Sequence, residues 1–480
     1  MDTQPRLTAP VRTAYRSKGR RAVQGLLLVA ACATSVLTPL QSAHAQGMAY
    51  IRDTEIEEIL HKECDPVFEA AGLNPKAVKI DLLQDRMNAF TMSGLEMGIT
   101  TGLIEETENP NQIIGVMAHE AGHAAGGHPA RSGEMMRAGM VPMLLTLGLG
   151  ILAAAAGAPD AAAGILSSAS YFGTLGALTY SREQESRADQ AAITYLEKAG
   201  ISGRGLVDFF DAFRYEEVFS EARRFPYFQS HPISSARIEG LRRRAEEQKH
   251  YNVPDSPDAI AEHAIMKAKL LAFTQPAQQT FIRFSEKDTS FPARYARAIA
   301  YYRATETERA LKLIDGLLAD YPSNPYLWEL KGQVLFESGR AKEAEPAHRR
   351  AVELKPNAPL LRMLLAQAIL GQIEDTKRTE IAARADAALA ELQRSAALEQ
   401  DNALVYRLMA QAWDAKGDPG EARLASAEER YALGDKTQAR IFALRARELL
   451  IKDTPQWRRA TDIILVSNPS QDDLKEMSRG

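Results

Sequence analysis

The chain has 480 residues, enough for two or three domains that each bury a core, and its 45% hydrophobic and 25% charged content is that of ordinary folded protein. A formal net charge of −4 argues against nucleic-acid binding, which takes its affinity mainly from Lys and Arg on phosphates.

Residues 1–45 stand apart from the rest. They hold six of the 58 basic residues and one of the 62 acidic ones, then the uncharged run AVQGLLLVAACATSVLTPL, then Ala43-His44-Ala45. That order reads as an export signal cleaved after Ala45, and its removal moves the formal charge to about −9. Val29-Ala30-Ala31-Cys32 permits a second reading, a lipoprotein box that tethers the chain through Cys32. After cleavage at Ala45 only Cys64 remains, so no internal disulfide forms and Cys64 reads as a small buried apolar residue.

Residues 51–71 predict a helix. Within 76–104 the stretches Val78–Leu82, Asn88–Met92 and Glu96–Thr100 are β-type, interrupted by Ser93-Gly94, which predicts a small sheet beside helices. The apolar pattern from Leu103 to Ala125 predicts a helix with a start near Asn111 and a stop at Gly126-Gly127. Residues 138–180 are uncharged apart from Asp160, long enough for a bilayer hairpin; their Gly, Ala and Ser content favours instead a buried or interfacial helical pair with peripheral membrane contact. The Pro- and Asp-rich NVPDSPDA at 252–259 marks a boundary region.

From about residue 270 the sequence repeats every 34 positions. Ala298, Tyr301, Ala310, Leu317 and Pro322 recur as Gly332, Leu335, Ala344, Ala351 and Pro356, with Trp328 four residues into its unit. A third unit opens near Pro359 and carries about ten extra residues before a fourth near Ala403. This resembles the tetratricopeptide repeat (TPR), a helix hairpin that stacks into a solenoid. The expected architecture is therefore α+β and mostly helical over 46–268, followed by an all-α repeat domain over 269–480.

The chemistry centres on His119-Glu120-Ala121-Gly122-His123. Four positions on a helix are about 40° apart in azimuth, so His119 and His123 can share a metal, while Glu120 lies about 100° round, at the edge of that face, within reach of a water. His128 sits one residue short of the third histidine of a metzincin, whose place is taken by Pro129, so it reads as a group behind the ligands or as packing. A catalytic zinc needs a third protein ligand and an open position. Glu134, Glu183 and Glu185 are candidates, and Glu185 stands out because Asp189 follows at helical spacing, placed to face the outer nitrogen of a ligating histidine.

HEAGH, the ESRAD stretch some sixty residues later, and Ser230-His231-Pro232 with Arg237 beyond resemble the HtpX and CaaX-prenyl-protease family of zinc metallopeptidases. The export signal in front and the repeats behind resemble its BepA-like branch. That resemblance implies one zinc per chain on His119, His123 and Glu185, with Glu120 as the base and Asp189 and Arg237 behind the ligands. It also implies that His231 approaches the metal, either assisting catalysis or holding the enzyme latent. Asn88-Ala89-Phe90 resembles the family stretch that precedes an edge strand beside the cleft, where a substrate strand can add. The function implied is a periplasmic zinc endopeptidase acting on unfolded or stalled outer-membrane proteins, whose repeats meet the β-barrel assembly machinery. The competing reading is a chaperone or scaffold in which proteolysis is secondary.

Overall fold

The computed structural model describes residues 49–471 apart from 93–94, 129–131, 156–157, 214–225 and 375. The export signal with Cys32, the Ser93-Gly94 interruption and Pro129 thus lie outside the described residues. From Tyr50 onward the chain is one compact unit.

The molecule is mostly helical with one small sheet. Strand β1 (Ala49–Ile51) leads into helix α1 (Thr54–Ala70), which Asp53 caps by accepting from the Ile56 amide at 3.0 Å. Strands β2 (Lys79–Gln84), β3 (Ala89–Thr91) and β4 (Glu96–Thr100) form at the three β-type stretches. The sheet order is β1-β2-β4-β3, with β2 parallel and β3 antiparallel to β4, so β3 is an outer strand. Phe90 lies over Gly98 of β4, where any Cβ would come within 2.5 Å of its ring. Cys64 is fully buried in α1, and burial pushes its thiol pKa up.

The apolar run from Leu103 to Ala125 holds two helices. Helix α2 (Thr101–Glu106) stops at Thr107, and α3 (Pro110–Ala125) starts one turn later with Asn109, not Asn111, as its cap. Pro110 explains the break: it has no amide hydrogen to donate and its fixed φ suits the first helical position. Asn111 is buried instead and joins α3 to the next layer, donating to Ser202 O at 2.9 Å and accepting from the Gly205 amide at 2.6 Å.

Helices α4 (Ser132–Ala155) and α5 (Pro159–Ala199) form a long antiparallel hairpin. It is not buried, since only 11% of the most apolar window of either helix is covered. The C-terminal part of α5 turns inward and crosses α3 at Gly122, where a Cβ would meet Ala188 O at 2.9 Å and its Cα at 3.0 Å. Helices α6 (Arg204–Ala212), α7 (Pro226–Ser230) and α8 (Ser235–Glu246) close this half around a core that includes Phe68, Met97, Met117, Leu196, Phe210 and Ile238.

Helix α9 (Pro257–Thr274) is capped by Ser256 inside the stretch read as a boundary, and it crosses residue 268 without interruption. Met266 and Leu270 enter the first core, Ala268 and Ala272 the next. Between them Lys269 is buried, with its ammonium 2.7 Å from Asp53 and 3.0 Å from Glu55, while Tyr295 donates to the same Glu55 oxygen at 3.0 Å. Nearby, Glu329 Oε2 is buried without a hydrogen-bond partner.

After α10 (Ala277–Arg283) come the helical pairs. These are α11 (Phe291–Arg303) with α12 (Thr307–Asp320), α13 (Pro325–Glu337) with α14 (Ala341–Leu354), and α15 (Pro359–Leu370) with α16 (Ile381–Leu398). Then follow α17 (Ala403–Lys416) with α18 (Pro419–Ala432), and a fifth pair not expected from the repeat, α19 (Lys436–Leu449) with α20 (Pro455–Val466). The extra residues of the third unit fall between and within its two helices. Small residues sit where helices touch, as at Gly332, whose Cα is covered by the His348 ring.

Two tests follow from this packing. Gly122→Ala should lower unfolding free energy by about 1–3 kcal/mol in urea, because the helices must separate, despite alanine's better helix propensity; a gain in stability would show slack at the crossing. Burial, aided by Asp53 and Glu55 and opposed by Lys269, pushes Glu329 from the ordinary 4.5 up to about 8. The fold therefore prefers the protonated acid, and its contribution is full below pH 4.5 and lost as pH rises through 8. Glu329→Gln should gain stability over the parent across that window; parallel pH curves for the two proteins would contradict the assignment.

Candidate metal centre

Two helices each present a pair of side chains one turn apart, His119 and His123 on α3, Glu185 and Asp189 on α5, and the Gly122–Ala188 crossing brings the pairs face to face. His231, in the turn after α7, reaches in from a third direction. His119, His123, Glu185 and His231 are all buried, and one ligand atom from each lies within 4.8 Å of the others.

Five of the six donor separations lie between 3.1 and 3.4 Å. His119 Nε2 is 3.1 Å from His123 Nε2 and 3.4 Å from Glu185 Oε2; His123 Nε2 is 3.3 Å from Glu185 Oε1. His231 Nδ1 stands 3.3 Å from His119 Nε2 and 3.1 Å from Glu185 Oε2. Four ligands around a small cation at about 2.0–2.1 Å would have edges of about 3.3 Å. Three imidazole nitrogens and a carboxylate converging at that separation fit a tetrahedral divalent metal, with His231 at the corner that a catalytic site leaves open.

Behind the donors stands a second set of contacts. His119 Nδ1 is 3.0 Å from Asp189 Oδ1, and Arg237 grips both oxygens of Asp189, Nε at 2.7 Å and Nη2 at 2.8 Å. The same guanidinium donates to Pro232 O at 2.7 Å and lies 3.2 Å from Glu185. His123 Nδ1 meets His128 Nδ1 at 2.8 Å. This is possible because α3 ends at Ala125 and Gly127, at φ +65°, turns the chain back. His128 thus stands behind a cluster histidine and outside the cluster.

Electrostatics follow from burial and these contacts. Burial works to lower the His119 pKa, but Asp189 and Glu185 raise it to about 9. His123, where burial prevails, is lowered. Glu185 resists the upward push of burial because His119, His123 and His231 hold it well below the usual carboxylate range. Arg237 and His119 likewise bring buried Asp189 down to about 2.

Glu120 is buried with one oxygen held and one free. Oε2 accepts from Thr91 Oγ1 at 3.0 Å, and Thr91 also donates to the Glu120 carbonyl at 2.9 Å; Oε1 has no hydrogen-bond partner and lies 3.5 Å from His231 Nε2. Of the expected edge-strand residues, Asn88 pairs with Thr100, Ala89 is buried and Phe90 covers Gly98, so the bond to the site comes from the next residue, Thr91. Glu134 and Glu183 stay outside the cluster, the first accepting from Tyr180 and the second paired with Arg187.

Aromatic walls complete the site. Tyr227 packs on His231 with ring centres 4.8 Å apart, and Phe210 stands edge-on to His119 while carrying the Arg237 guanidinium on its face. Sequence reasoning passes over Thr91, Phe210 and Tyr227. Thr91 adjoins the Asn88-Ala89-Phe90 stretch and Tyr227 precedes His231 by one turn, whereas Phe210 carries no local signal.

Known proteins resemble the chain in both halves. A family model described as Peptidase family M48 matches residues 52–245, and a tetratricopeptide repeat model matches 295–359. The beta-barrel assembly-enhancing protease of Escherichia coli K12 is 26% identical over 384 residues, 75% of this chain and 76% of that one. Its namesake in Yersinia pestis is 22% identical over 380 residues, 75% and 77% of the two chains. Metalloprotease YcaL of Escherichia coli K12 is 33% identical over 193 residues, 38% of this chain and 69% of YcaL. The matched stretch encloses every donor of the tetrahedral cluster, and the chain belongs to peptidase family M48, a metallopeptidase followed by tetratricopeptide repeats.

Proposed function

We propose that the protein is a zinc-dependent endopeptidase of the periplasm that cleaves unfolded or stalled outer-membrane proteins during β-barrel assembly. The observation that carries this reading is the four-donor cluster with the free oxygen of Glu120 beside it. The names of the two assembly-enhancing relatives support the choice of substrate, and the amino-terminal export pattern supports the compartment. On this reading the peptidase half ends near residue 268 and the repeats from 269 hold partners, including the assembly machinery, along their surface.

His119, His123 and Glu185 would hold the ion, since they offer two imidazole nitrogens and a carboxylate at tetrahedral spacing. A bound zinc supplies Lewis-acid polarisation of the scissile carbonyl and a more acidic attacking water. Glu120 takes the water's proton on Oε1 and returns it to the leaving amine, while Thr91 holds Oε2 and leaves Oε1 beside the donors. Asp189, clamped by Arg237, holds His119 in the tautomer that leaves Nε2 free to ligate. The outer strand β3, with Asn88, Ala89 and Phe90, receives an extended substrate strand next to Glu120.

His231 stands among the donors where a metal-bound water would need a place, which supports the reading that it holds the enzyme closed. That same observation favours a second reading, in which the resting protein works chiefly as a TPR scaffold and cleaves only when His231 withdraws.

Glu120→Gln should retain one zinc per chain by elemental analysis and lose cleavage of an unfolded outer-membrane protein by about 10²-fold or more. Full retention of cleavage would sink the peptidase mechanism, and absence of stoichiometric metal in the parent would remove its basis. His231→Ala should raise basal cleavage by freeing the fourth corner; a fall in kcat with metal content unchanged would instead make His231 a stabiliser of the oxyanion.

A further inference from the structure

The hairpin of α4 and α5 presents apolar side chains to the outside over a length with no function in the site. Val141, Leu144, Leu145, Leu149, Ile151 and Leu152 are each more than half exposed, and on a helix they cover an arc of about 160°. Exposed apolar surface of this extent on a folded protein marks an interaction site.

Four observations say what covers it. The first is length: Gly133–Ala154 and Ala161–Ala199 both contain windows long and apolar enough to cross a membrane, and the uncharged parts, 138–155 and 161–181, span about 27 and 31 Å against a hydrocarbon core of about 30 Å.

The second is charge. Arg137 and Arg182 bracket the uncharged segments at the base of the hairpin, and Asp160 at the tip is the one charge between them. At the base Tyr180 donates to Glu134 at 2.9 Å, a polar pair at the level where a bilayer meets water.

The third is hydrogen bonding. The hydroxyls of Thr146, Ser167, Ser168, Thr174 and Thr179 each donate to a carbonyl of the preceding turn, at 2.7–2.9 Å, so they need no water. Hydroxyls bonded in this way can enter lipid without leaving a polar group unpaired.

The fourth is the contact between the two helices. Gly139 faces Gly173, and Gly176 comes so near Ala138 that a Cβ would lie 2.3 Å from its carbonyl oxygen. Backbones brought together over small residues are how helices associate in lipid, where apolar side chains gain nothing from hiding against each other.

We infer that residues 138–181 insert into a lipid bilayer as a helical hairpin and hold the metal centre at the membrane surface. Glu185 follows Arg182 by less than one turn of α5, a rise of about 5 Å, so the cluster opens beside the headgroups. The insertion stands on the hairpin alone; its use, capturing chains at the membrane before they fold into it, rests on the proposed function.

The test uses the chain from Gln46 onward, which lacks the amino-terminal apolar run and keeps the whole compact unit that begins at Tyr50. It is mixed with vesicles of phosphatidylethanolamine and phosphatidylglycerol, washed with alkaline carbonate and floated through a density gradient. The comparison protein combines Leu144→Gln, Leu145→Gln, Leu149→Gln and Leu152→Gln, exposed positions whose change leaves the fold intact by circular dichroism. The parent should float through the wash and the variant should lose at least tenfold of the floating fraction. If neither floats, or both float equally, the inference is wrong. If neither floats and light scattering shows that the parent self-associates and the variant does not, the covering partner is a second copy, which also overturns it. Glu120→Gln protein should float like the parent, so loss of cleavage and loss of flotation report separately on the two readings.

Discussion

Everything at the site depends on how closely α3 can approach α5. Three of the four donors, His119, His123 and Glu185, come from two helices far apart in sequence, and a cluster with separations near 3.3 Å tolerates little displacement between them. Contact at that range is possible because Gly122 has no side chain to set against the Ala188 backbone. Gly122 of the HEAGH motif is therefore as structural as its histidines are chemical: they meet the Glu185 carboxylate because this one residue between them brings no side chain to the crossing.

A second constraint is electrostatic. Burying three imidazoles and a carboxylate is costly unless each charge finds a counterpart. The chain answers with Asp189 and Arg237, which form a fork behind His119 and tie α5 to α8. The fork also reaches the Pro232 carbonyl, so one arginine orders a ligand helix, a supporting helix and the turn that carries His231. The junction between the two halves is built on the same logic, with Lys269 among Asp53, Glu55 and Glu329, and it makes α9 a shared strut instead of a linker.

The features legible in the sequence are those set by local periodicity. His119 with His123 and Glu185 with Asp189 can be paired from helical spacing alone, and the 34-residue recurrence locates the first repeat hairpins because small residues must fall where helices touch. Contacts without a period leave no such trace. Thr91 reaches Glu120 across 29 positions and from strand to helix, and Phe210 lines the site from a helix that carries no motif. The start of α3 is misplaced by two residues because Asn111 resembles a cap while Pro110 makes Asn109 the real one. The fifth hairpin is overlooked because its small residues, Ala439, Ala443 and Ala446, stand at plain helical spacing, and its aromatics, Phe442 and Trp457, lie out of the 34-residue register with Tyr406 and Trp413.

The histidine at the fourth corner is held on a short leash. Its amide donates to the Tyr227 carbonyl at 2.8 Å, the Tyr227 amide reaches Met87 beside the sheet, and Arg237 holds Pro232 immediately after it. Nine residues lie between Tyr227 and Arg237, and the Arg237 that holds Pro232 also grips Asp189, so the turn carrying His231 is tied to α5 through one side chain. If His231 gates the site as proposed, its opening is a local event on the timescale of loop motion, separate from the cooperative unfolding of the core. On the proposed reading, release of His231 from the donors would call for movement of one tethered turn and not of a domain.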